Sequence, residues 1–176
     1  MYVTSLQTAA FSADNMNRWC VMHTKSRQEK ALATDLERME IPYFLPLLNK
    51  VRYYGKRKAL IVEPLFPGYV FVRSSIDDAY NADRTKRVAQ IIKVPDQKRI
   101  DWELRNLALA LEKEIPLDPY PFLKVGFPVR VKAGPLMGLQ GLIESKGNSN
   151  RLILQIQMLG QASSLEIDAG ILEPID

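Results

Sequence analysis

Residues 63–73, which read Glu-Pro-Leu-Phe-Pro-Gly-Tyr-Val-Phe-Val-Arg, constrain the fold of this chain more than any other stretch. Pro67 and Gly68 interrupt a regular strand ladder, because proline has no N–H to donate and glycine adopts unusual backbone angles. The four apolar residues that follow predict a β-strand, on which neighbouring side chains point to opposite faces. Tyr69 and Phe71 therefore share one face, and the two valines share the other. One face fills a core, while the other is covered by a helix or exposed to a partner.

The composition is that of a globular protein, with 47% hydrophobic and 25% charged residues in a chain of 176, enough for one ordinary domain or two small ones. No apolar run is long enough to span a bilayer, and the first residues lack the order of a signal peptide, so we expect a cytoplasmic protein. A single cysteine, Cys20, excludes an internal disulfide, and a single histidine, His23, leaves no zinc cluster. We expect neither a metal nor a cofactor.

The positive charge is unevenly distributed. Residues 124–176 contain five Lys or Arg and five Asp or Glu, so the net charge of +4 lies upstream of them. Within that upstream part, residues 50–58 hold five cations and no acid, namely Lys50, Arg52, Lys56, Arg57 and Lys58. Such a run predicts a phosphate-facing patch, although a hairpin kept soluble by its charge has the same composition.

The first part of the chain alternates strands with helices. Residues 1–17 show no sustained period and are expected to form a flexible extension. Ser26 and Glu29 have the spacing of a capping box at a helix start. The predicted elements are strands at residues 19–23, 43–48, 69–72 and 88–94, a hairpin at 51–62 turning near Gly55, and helices after Ser26, after Ser75 and through Ile100, Leu104, Leu107 and Leu111. This order predicts an α+β sandwich, one sheet with helices over a face, for residues 18–114.

A second domain is predicted after a run of closely spaced prolines. These prolines indicate a semi-rigid linker over residues 115–124. Residues 125–176 then hold five short β-rich runs separated by glycine-rich or polar turns. A small β-barrel is the simplest fold for them, because closure removes exposed edges. Residues 152–158 are also compatible with a helix, since their Leu- and Ile-rich run does not distinguish the two structures.

The common catalytic motifs are missing from the sequence, including the nucleophile elbow, the phosphate-binding loop, the dinucleotide fingerprint and the zinc-protease helix. A nucleophile pair would need His23. Cys20 lies three residues before it on the same predicted strand, so the two side chains point to opposite sides. We therefore expect a binding module rather than an enzyme.

Several stretches resemble the bacterial NusG family of transcription elongation factors. In its N-terminal domain, this likeness rests on Trp19 followed by a strand and a helix, on Phe66-Pro-Gly-Tyr-Val-Phe-Val72, and on Thr85-Lys-Arg-Val88. Residues 126–143, from Gly126-Phe-Pro-Val-Arg-Val to Leu142-Ile143, are similar to the KOW motif that opens the SH3-like C-terminal barrel of the family. The two likenesses occur in the order of the family and together span residues 18–176.

This resemblance implies that the protein is a monomer that binds RNA polymerase and does no chemistry. The family docks an aromatic face on the clamp helices of the largest catalytic subunit, which corresponds here to Phe66, Tyr69 and Phe71 with Trp19 and Tyr43 as neighbours. Cations would face upstream DNA, the non-template strand or the polymerase across the cleft; they are Lys25, Arg27, Lys56, Arg57, Lys58, Lys86 and Arg87. Bridging the cleft would suppress pausing and termination. We expect the aromatic face to be left open by the chain itself.

The resemblance also implies a second partner for the C-terminal domain. Leu136 and Leu139 match the family segment that contacts a small-subunit ribosomal protein or the termination factor Rho, and they are equally compatible with a barrel core. The residues 55–58 and 63–67 resemble the specialised RfaH-like branch, which serves particular operons as an antiterminator. The alternatives are a housekeeping NusG and a ribosome-associated KOW protein that binds RNA.

Overall fold

The computed structural model describes residues 5–12, 16–120, 126–146 and 149–175 of the chain. These residues form two compact units, Met1–Asp101 and Trp102–Asp176. The elements of the first unit are α1 (Ser5–Ala9), β1 (Arg18–Thr24), α2 (Glu29–Arg38), β2 (Tyr43–Phe44), β3 (Leu47–Tyr54), β4 (Arg57–Pro64), β5 (Tyr69–Ser74), α3 (Ile76–Asp83) and β6 (Val88–Lys93), and helix α4 (Gln97–Glu112) begins in it. The predicted α+β class is confirmed.

The sheet of the first unit has four antiparallel strands in the order β2-β5-β1-β6. The alternation predicted for β5 is observed, because Val70 and Val72 belong to one core cluster with Leu32 and Leu36 of helix α2. Phe71 lies on the opposite face, paired in register with Val21 and Phe44 of the neighbouring strands. The central strand is therefore buried on both faces, which the pattern alone left open.

The predicted capping box of helix α2 is wrong. Gln28 occupies the N-cap position and makes no side-chain cap, so Ser26 lies outside the helix start. The Glu29 carboxylate instead accepts a hydrogen bond from the backbone N–H of Gly68 at 2.7 Å. Glu29 is buried, and this bond satisfies a donor that the turn before β5 removes from the strand ladder. In contrast, the predicted cap of α3 is confirmed, since the Ser75 hydroxyl accepts from the Asp78 N–H.

The stretch 43–48, predicted as one strand, contributes to two strands that belong to different sheets. β2 contributes Tyr43 and Phe44 to the main sheet, and β3 begins at Leu47, after a proline that cannot continue a ladder. β3 and β4 form a separate two-stranded hairpin. Its turn lies at Gly55, as predicted, and this glycine takes a φ of 62°, a region that favours glycine.

The second unit is an antiparallel sheet of six strands in the order β12-β8-β9-β10-β11-β7. Its strands are β7 (Asp118–Tyr120), β8 (Phe127–Val131), β9 (Gln140–Lys146), β10 (Ser149–Ile156), β11 (Gln161–Ile167) and β12 (Leu172–Pro174). Residues 152–156 are thus strand rather than helix, and β7 lies within the stretch predicted as a linker. Gly141 is required by close packing, because a Cβ there would lie 2.5 Å from the carbonyl oxygen of Ile153.

The later turns of helix α4 belong to this second unit, although the sequence indicated a boundary only at the prolines. The Asn106 side chain accepts a hydrogen bond from the Gln140 N–H at 3.0 Å. The Glu103 carboxylate accepts one from the Gln157 N–H at 3.3 Å. Both side chains are buried, so helix residues satisfy backbone donors of the sheet.

We predict that Glu29→Ala destabilises the first unit by about 1–3 kcal/mol, because it leaves the Gly68 N–H without its acceptor. Glu29→Gln retains an acceptor oxygen and should recover much of that loss. Urea unfolding of the full chain followed by circular dichroism measures both changes. Glu112→Ala removes an exposed carboxylate and serves as the control; equal destabilisation by Glu29→Ala and Glu112→Ala would contradict the assigned role.

Candidate functional site

Five aromatic rings of the first unit pack into a continuous layer on one face of its sheet. We define this aromatic layer as Phe11, Trp19, Phe44, Phe66 and Phe71. The ring centroids of Phe66 and Phe71 are 6.5 Å apart, as are those of Phe71 and Phe44. Phe11 continues the layer, at 5.1 Å from Phe44 and 5.5 Å from Trp19. The layer is formed by residues far apart in the chain, and two of its members, Phe11 and Phe44, escaped the sequence-based prediction.

The prediction that the aromatic face of residues 66–71 is open is wrong for Phe66 and Phe71, and the expected neighbours Trp19 and Tyr43 are buried as well. Phe66, Phe71 and Trp19 are each exposed by 2% or less, and Tyr43 by 3%. One reason is the segment 5–12, which was expected to be a loose extension but forms α1 and carries Phe11 onto the layer. Its Gln7 is buried and accepts a hydrogen bond from the Leu45 N–H.

Tyr43 is buried on the other side of the sheet from the aromatic layer. It pairs in register with Val72 and belongs to the core under helices α2 and α3. Its hydroxyl donates a hydrogen bond to Glu37 of α2 at 2.7 Å. Its ring therefore cannot be a neighbour of Phe71 on a docking face, and Phe44 takes that place.

A polar cluster closes the Trp19 edge of the layer. The Asp101 carboxylate accepts from the Trp19 indole N–H and from Arg73, each at 2.9 Å. The Arg73 guanidinium also lies over the indole ring, 5.4 Å from its centroid. Gln97 bonds both the N–H and the carbonyl of Trp19. The polar groups at this edge are already paired within the chain, so a partner could make few new contacts with them.

The Tyr69 end of the same sheet face remains accessible. Tyr69 is half-buried and stacks on His23, with ring centroids 5.2 Å apart. Pro67 is exposed beside it, and a Cβ at Gly68 would lie 3.4 Å from the His23 ring. We call Pro67, Tyr69 and His23 the aromatic edge. The hydrogen bond from Gly68 to Glu29 fixes the turn that presents it. His23 was not predicted to belong to a surface, since its only sequence signal was its place on a strand.

Cys20 and His23 do not form a nucleophilic pair. They lie on opposite faces of β1, as predicted, and the Cys20 sulfur lies 3.9 Å from the Ser74 hydroxyl. Burial raises the pKa of the Cys20 thiol, which disfavours the reactive thiolate. Within the described ranges, no group of three or more His, Cys, Asp or Glu residues could hold a metal ion. A helix long and apolar enough to cross a membrane is likewise lacking from that part of the chain.

The predicted cations separate into two groups. Lys25, Arg27 and Lys86 are exposed on two loops joined by a hydrogen bond from the Lys25 N–H to the Arg87 carbonyl. Arg87 differs from them, because its guanidinium donates to Asp35 at 2.5 Å and to Gln28 at 2.7 Å. It clamps the loop before β6 to helix α2. Its charge is therefore largely engaged within the unit.

The other group lies on the β3–β4 hairpin. Lys56, Arg57 and Lys58 are exposed at its turn, as predicted. Lys50 and Arg52 lie nearer its base, where the Glu63 carboxylate accepts from Arg52 at 2.5 Å and lies 3.6 Å from the Lys50 ammonium. The free positive charge of the hairpin is thus concentrated at its turn.

Leu136 and Leu139 are core residues of the second unit. Leu139 is fully buried and Leu136 nearly so, which decides between the two readings that the sequence left open. This loop exposes Met137, and Phe127 on β8 is also exposed. A partner of this unit would therefore meet Met137 or Phe127 rather than the two leucines.

Comparison with known proteins gives one consistent family. Residues 17–103 match the NusG family, described as transcription termination factor NusG. The transcription termination/antitermination protein NusG of Lactococcus lactis is 26% identical, over 89% of this chain and 92% of that relative. Its namesake from Halalkalibacterium halodurans is 23% identical, over 89% of this chain and 98% of the relative. A solved structure of domain interaction in Thermotoga maritima NusG aligns over 91% of this chain and 98% of that one, with 23% identity and a TM-score of 0.47. Over residues 17–103 this chain therefore matches the NusG family, and its curated relatives are named transcription termination/antitermination proteins.

Proposed function

We propose that this protein is a cytoplasmic transcription elongation factor that docks on the clamp helices of RNA polymerase through the aromatic edge. Factors of this family act with RNA polymerase, which makes the polymerase the partner to consider first. The observation that carries the proposal is the half-buried Tyr69, held on His23 beside the exposed Pro67. Elongation is prolonged by binding alone, and no bond is made or broken.

The buried rings support this docking surface instead of forming it. An aromatic side chain that is already fixed in the free protein loses little conformational entropy when a partner covers it. Tyr69 is fixed by its stacking on His23, and the turn before it is fixed by Glu29. Phe66 and Phe71 pack behind that turn, with their rings 6.5 Å apart in an edge-to-face arrangement. The layer thus acts as a rigid backing for a small exposed anchor.

The two groups of cations would span the cleft of the polymerase and its nucleic acid. Lys25, Arg27 and Lys86 form a compact group beside the sheet, and the hairpin carries the other group at its turn. Contacts of lysine and arginine with phosphates supply salt-dependent affinity without reading sequence. A protein held on the polymerase by an aromatic anchor and on DNA by phosphate contacts disfavours the opening of the cleft that accompanies pausing.

The second unit would recruit a further partner as a KOW-type domain. Its exposed apolar side chains Met137 and Phe127 fit a protein surface, such as a small-subunit ribosomal protein or Rho. The hairpin and the run joining it to β5 favour a specialised, RfaH-like antiterminator over a housekeeping NusG. This choice rests on the likeness of residues 55–58 and 63–67 to that branch.

We predict that Tyr69→Ala weakens retention of the full chain on immobilised core RNA polymerase by about 30-fold, since central aromatic anchors contribute about 2 kcal/mol or more. Tyr80→Ala is the matched control, because Tyr80 is an exposed tyrosine on helix α3 away from the aromatic edge. Circular dichroism confirms that both variants fold. Equal retention of Tyr69→Ala and the wild type would reject the proposed docking surface.

A second prediction separates the aromatic edge from the buried layer behind it. Phe11→Ala removes the ring that the segment 5–12 places on Trp19 and Phe44, so acrylamide should quench Trp19 fluorescence more strongly. A Trp102→Phe background removes the other tryptophan signal. Retention on the polymerase should stay within about twofold of the wild type, because the anchor is untouched. A large gain in retention would instead show that the layer itself docks once uncovered.

A further inference from the structure

The β3–β4 hairpin has two chemically different faces. Residues paired across the two strands share a face, and faces alternate along each strand. The pairs Lys50 with Ile61, Arg52 with Ala59 and Tyr54 with Arg57 lie on one side, whereas Val51 with Leu60 and Tyr53 with Lys58 lie on the other. We call the first the basic face and the second the apolar face. The run of cations in the sequence thus divides between two surfaces.

The charge of the basic face increases towards the turn. At its base, Lys50 and Arg52 share the carboxylate of Glu63, which lies on the same face. Nearer the turn, Arg57 lies on this face and Lys56 lies in the turn itself, and neither side chain has a hydrogen bond or ion pair among the residues that the structure describes. One unengaged cation therefore lies at the end of this face and another in the adjoining turn, where a negatively charged ligand would meet least competition.

An aromatic ring stands at that same end. Tyr54 is 61% exposed and lies directly across the ladder from Arg57. An exposed ring beside unpaired cations is the arrangement that binds single-stranded nucleic acid, since a base stacks on the ring and the cations contact neighbouring phosphates. Bases inside a duplex are already stacked on each other and cannot use the ring.

We propose that the basic face binds single-stranded nucleic acid, with one base stacked on Tyr54 and adjacent phosphates held by Arg57 and Lys56. This deepens the proposed function, on which it rests, by giving the hairpin cations a defined ligand. The proposal also separates Lys58 from the other predicted hairpin cations, because Lys58 lies on the apolar face and outside the site. Tyr54, which the sequence did not single out, becomes the central residue.

The apolar face supplies matched controls within the same hairpin. Tyr53 is more exposed than Tyr54 and has a cation, Lys58, directly across from it. Its remaining neighbours are Val51 and Leu60, which are partly or largely exposed and carry no charge. Substitutions at Tyr53 and Lys58 therefore remove a tyrosine ring and a cation from the face that is not proposed to bind, one ladder position farther from the turn than Tyr54 and Arg57.

The test is fluorescence anisotropy of a labelled oligothymidylate of about 15 nucleotides titrated with the full chain at low salt. Tyr54→Ala should weaken binding about fivefold or more, the low end of what one stacked base contributes. Tyr54→Phe should bind as the wild type does. Arg57→Ala should also weaken binding and lower the slope of log affinity against log salt by about 0.7, whereas Tyr54→Ala should leave that slope unchanged. Tyr53→Ala and Lys58→Ala should bind nearly normally.

Three results would overturn the proposal. One is equal loss of affinity on Tyr53→Ala and Tyr54→Ala, which would indicate that binding is not confined to the basic face. Another is competition by a duplex of the same length as effective as that by the single strand. The third is no measurable binding of the wild type at low salt.

Failure of the proposed function can be recognised separately. Tyr54→Ala should keep its retention on core RNA polymerase, and Tyr69→Ala should keep its affinity for the oligonucleotide. If only the polymerase-retention results differ from expectation, the docking surface is rejected and the nucleic-acid site stands. If only the oligonucleotide-binding results differ, the nucleic-acid site is rejected and the docking surface stands. Thermal unfolding followed by circular dichroism verifies that the hairpin variants fold, as expected for exposed positions.

Discussion

The hydrogen bond from the Gly68 N–H to the Glu29 carboxylate is the contact on which the described surface depends. It joins the first turn of helix α2 to the turn that begins strand β5. Because side chains alternate along the strand, fixing this turn decides that Phe71 points into the sheet core and that Tyr69 lies at its accessible end. A helix on one face of the sheet thereby controls what the other face presents. The buried Glu29 carboxylate therefore holds the helix and the turn together, and its burial does not imply a catalytic role.

The aromatic layer shows how one surface serves stability at the expense of accessibility. Rings such as Phe71 and Trp19 would provide a strong anchor if they were exposed, but a bare apolar face of this size also promotes aggregation. The segment carrying Phe11 covers part of it, and Asp101 and Arg73 close another edge with polar contacts. What remains for a partner is a small edge backed by a rigid interior. Such an edge gains affinity from preorganisation more than from area.

Local signals predicted much of the fold, and contacts between distant residues account for what was missed. The pleat of β5, the cap at Ser75 and the turn at Gly55 follow from rules that act over a few residues, and all three are confirmed. Glu29 also fitted a local rule, yet a backbone donor 39 residues away takes its carboxylate. The segment holding Phe11 has no period of its own, and the Phe11 ring packs on Phe44, a contact that no neighbouring sequence reveals.

The distinction between local signals and distant contacts also applies to the candidate site. A count of cations in the sequence does not show which of them are paired in the folded protein. Arg87 belongs to a basic run in the sequence, but Asp35 and Gln28 engage its guanidinium. Arg52 is likewise held by Glu63, whereas Arg57, five residues later on the same face, is unengaged among the described residues. Only unengaged charges can exchange their counterions for phosphates without first breaking an internal ion pair. The positions of the acidic and amide side chains, which composition does not give, therefore determine which few cations can bind nucleic acid.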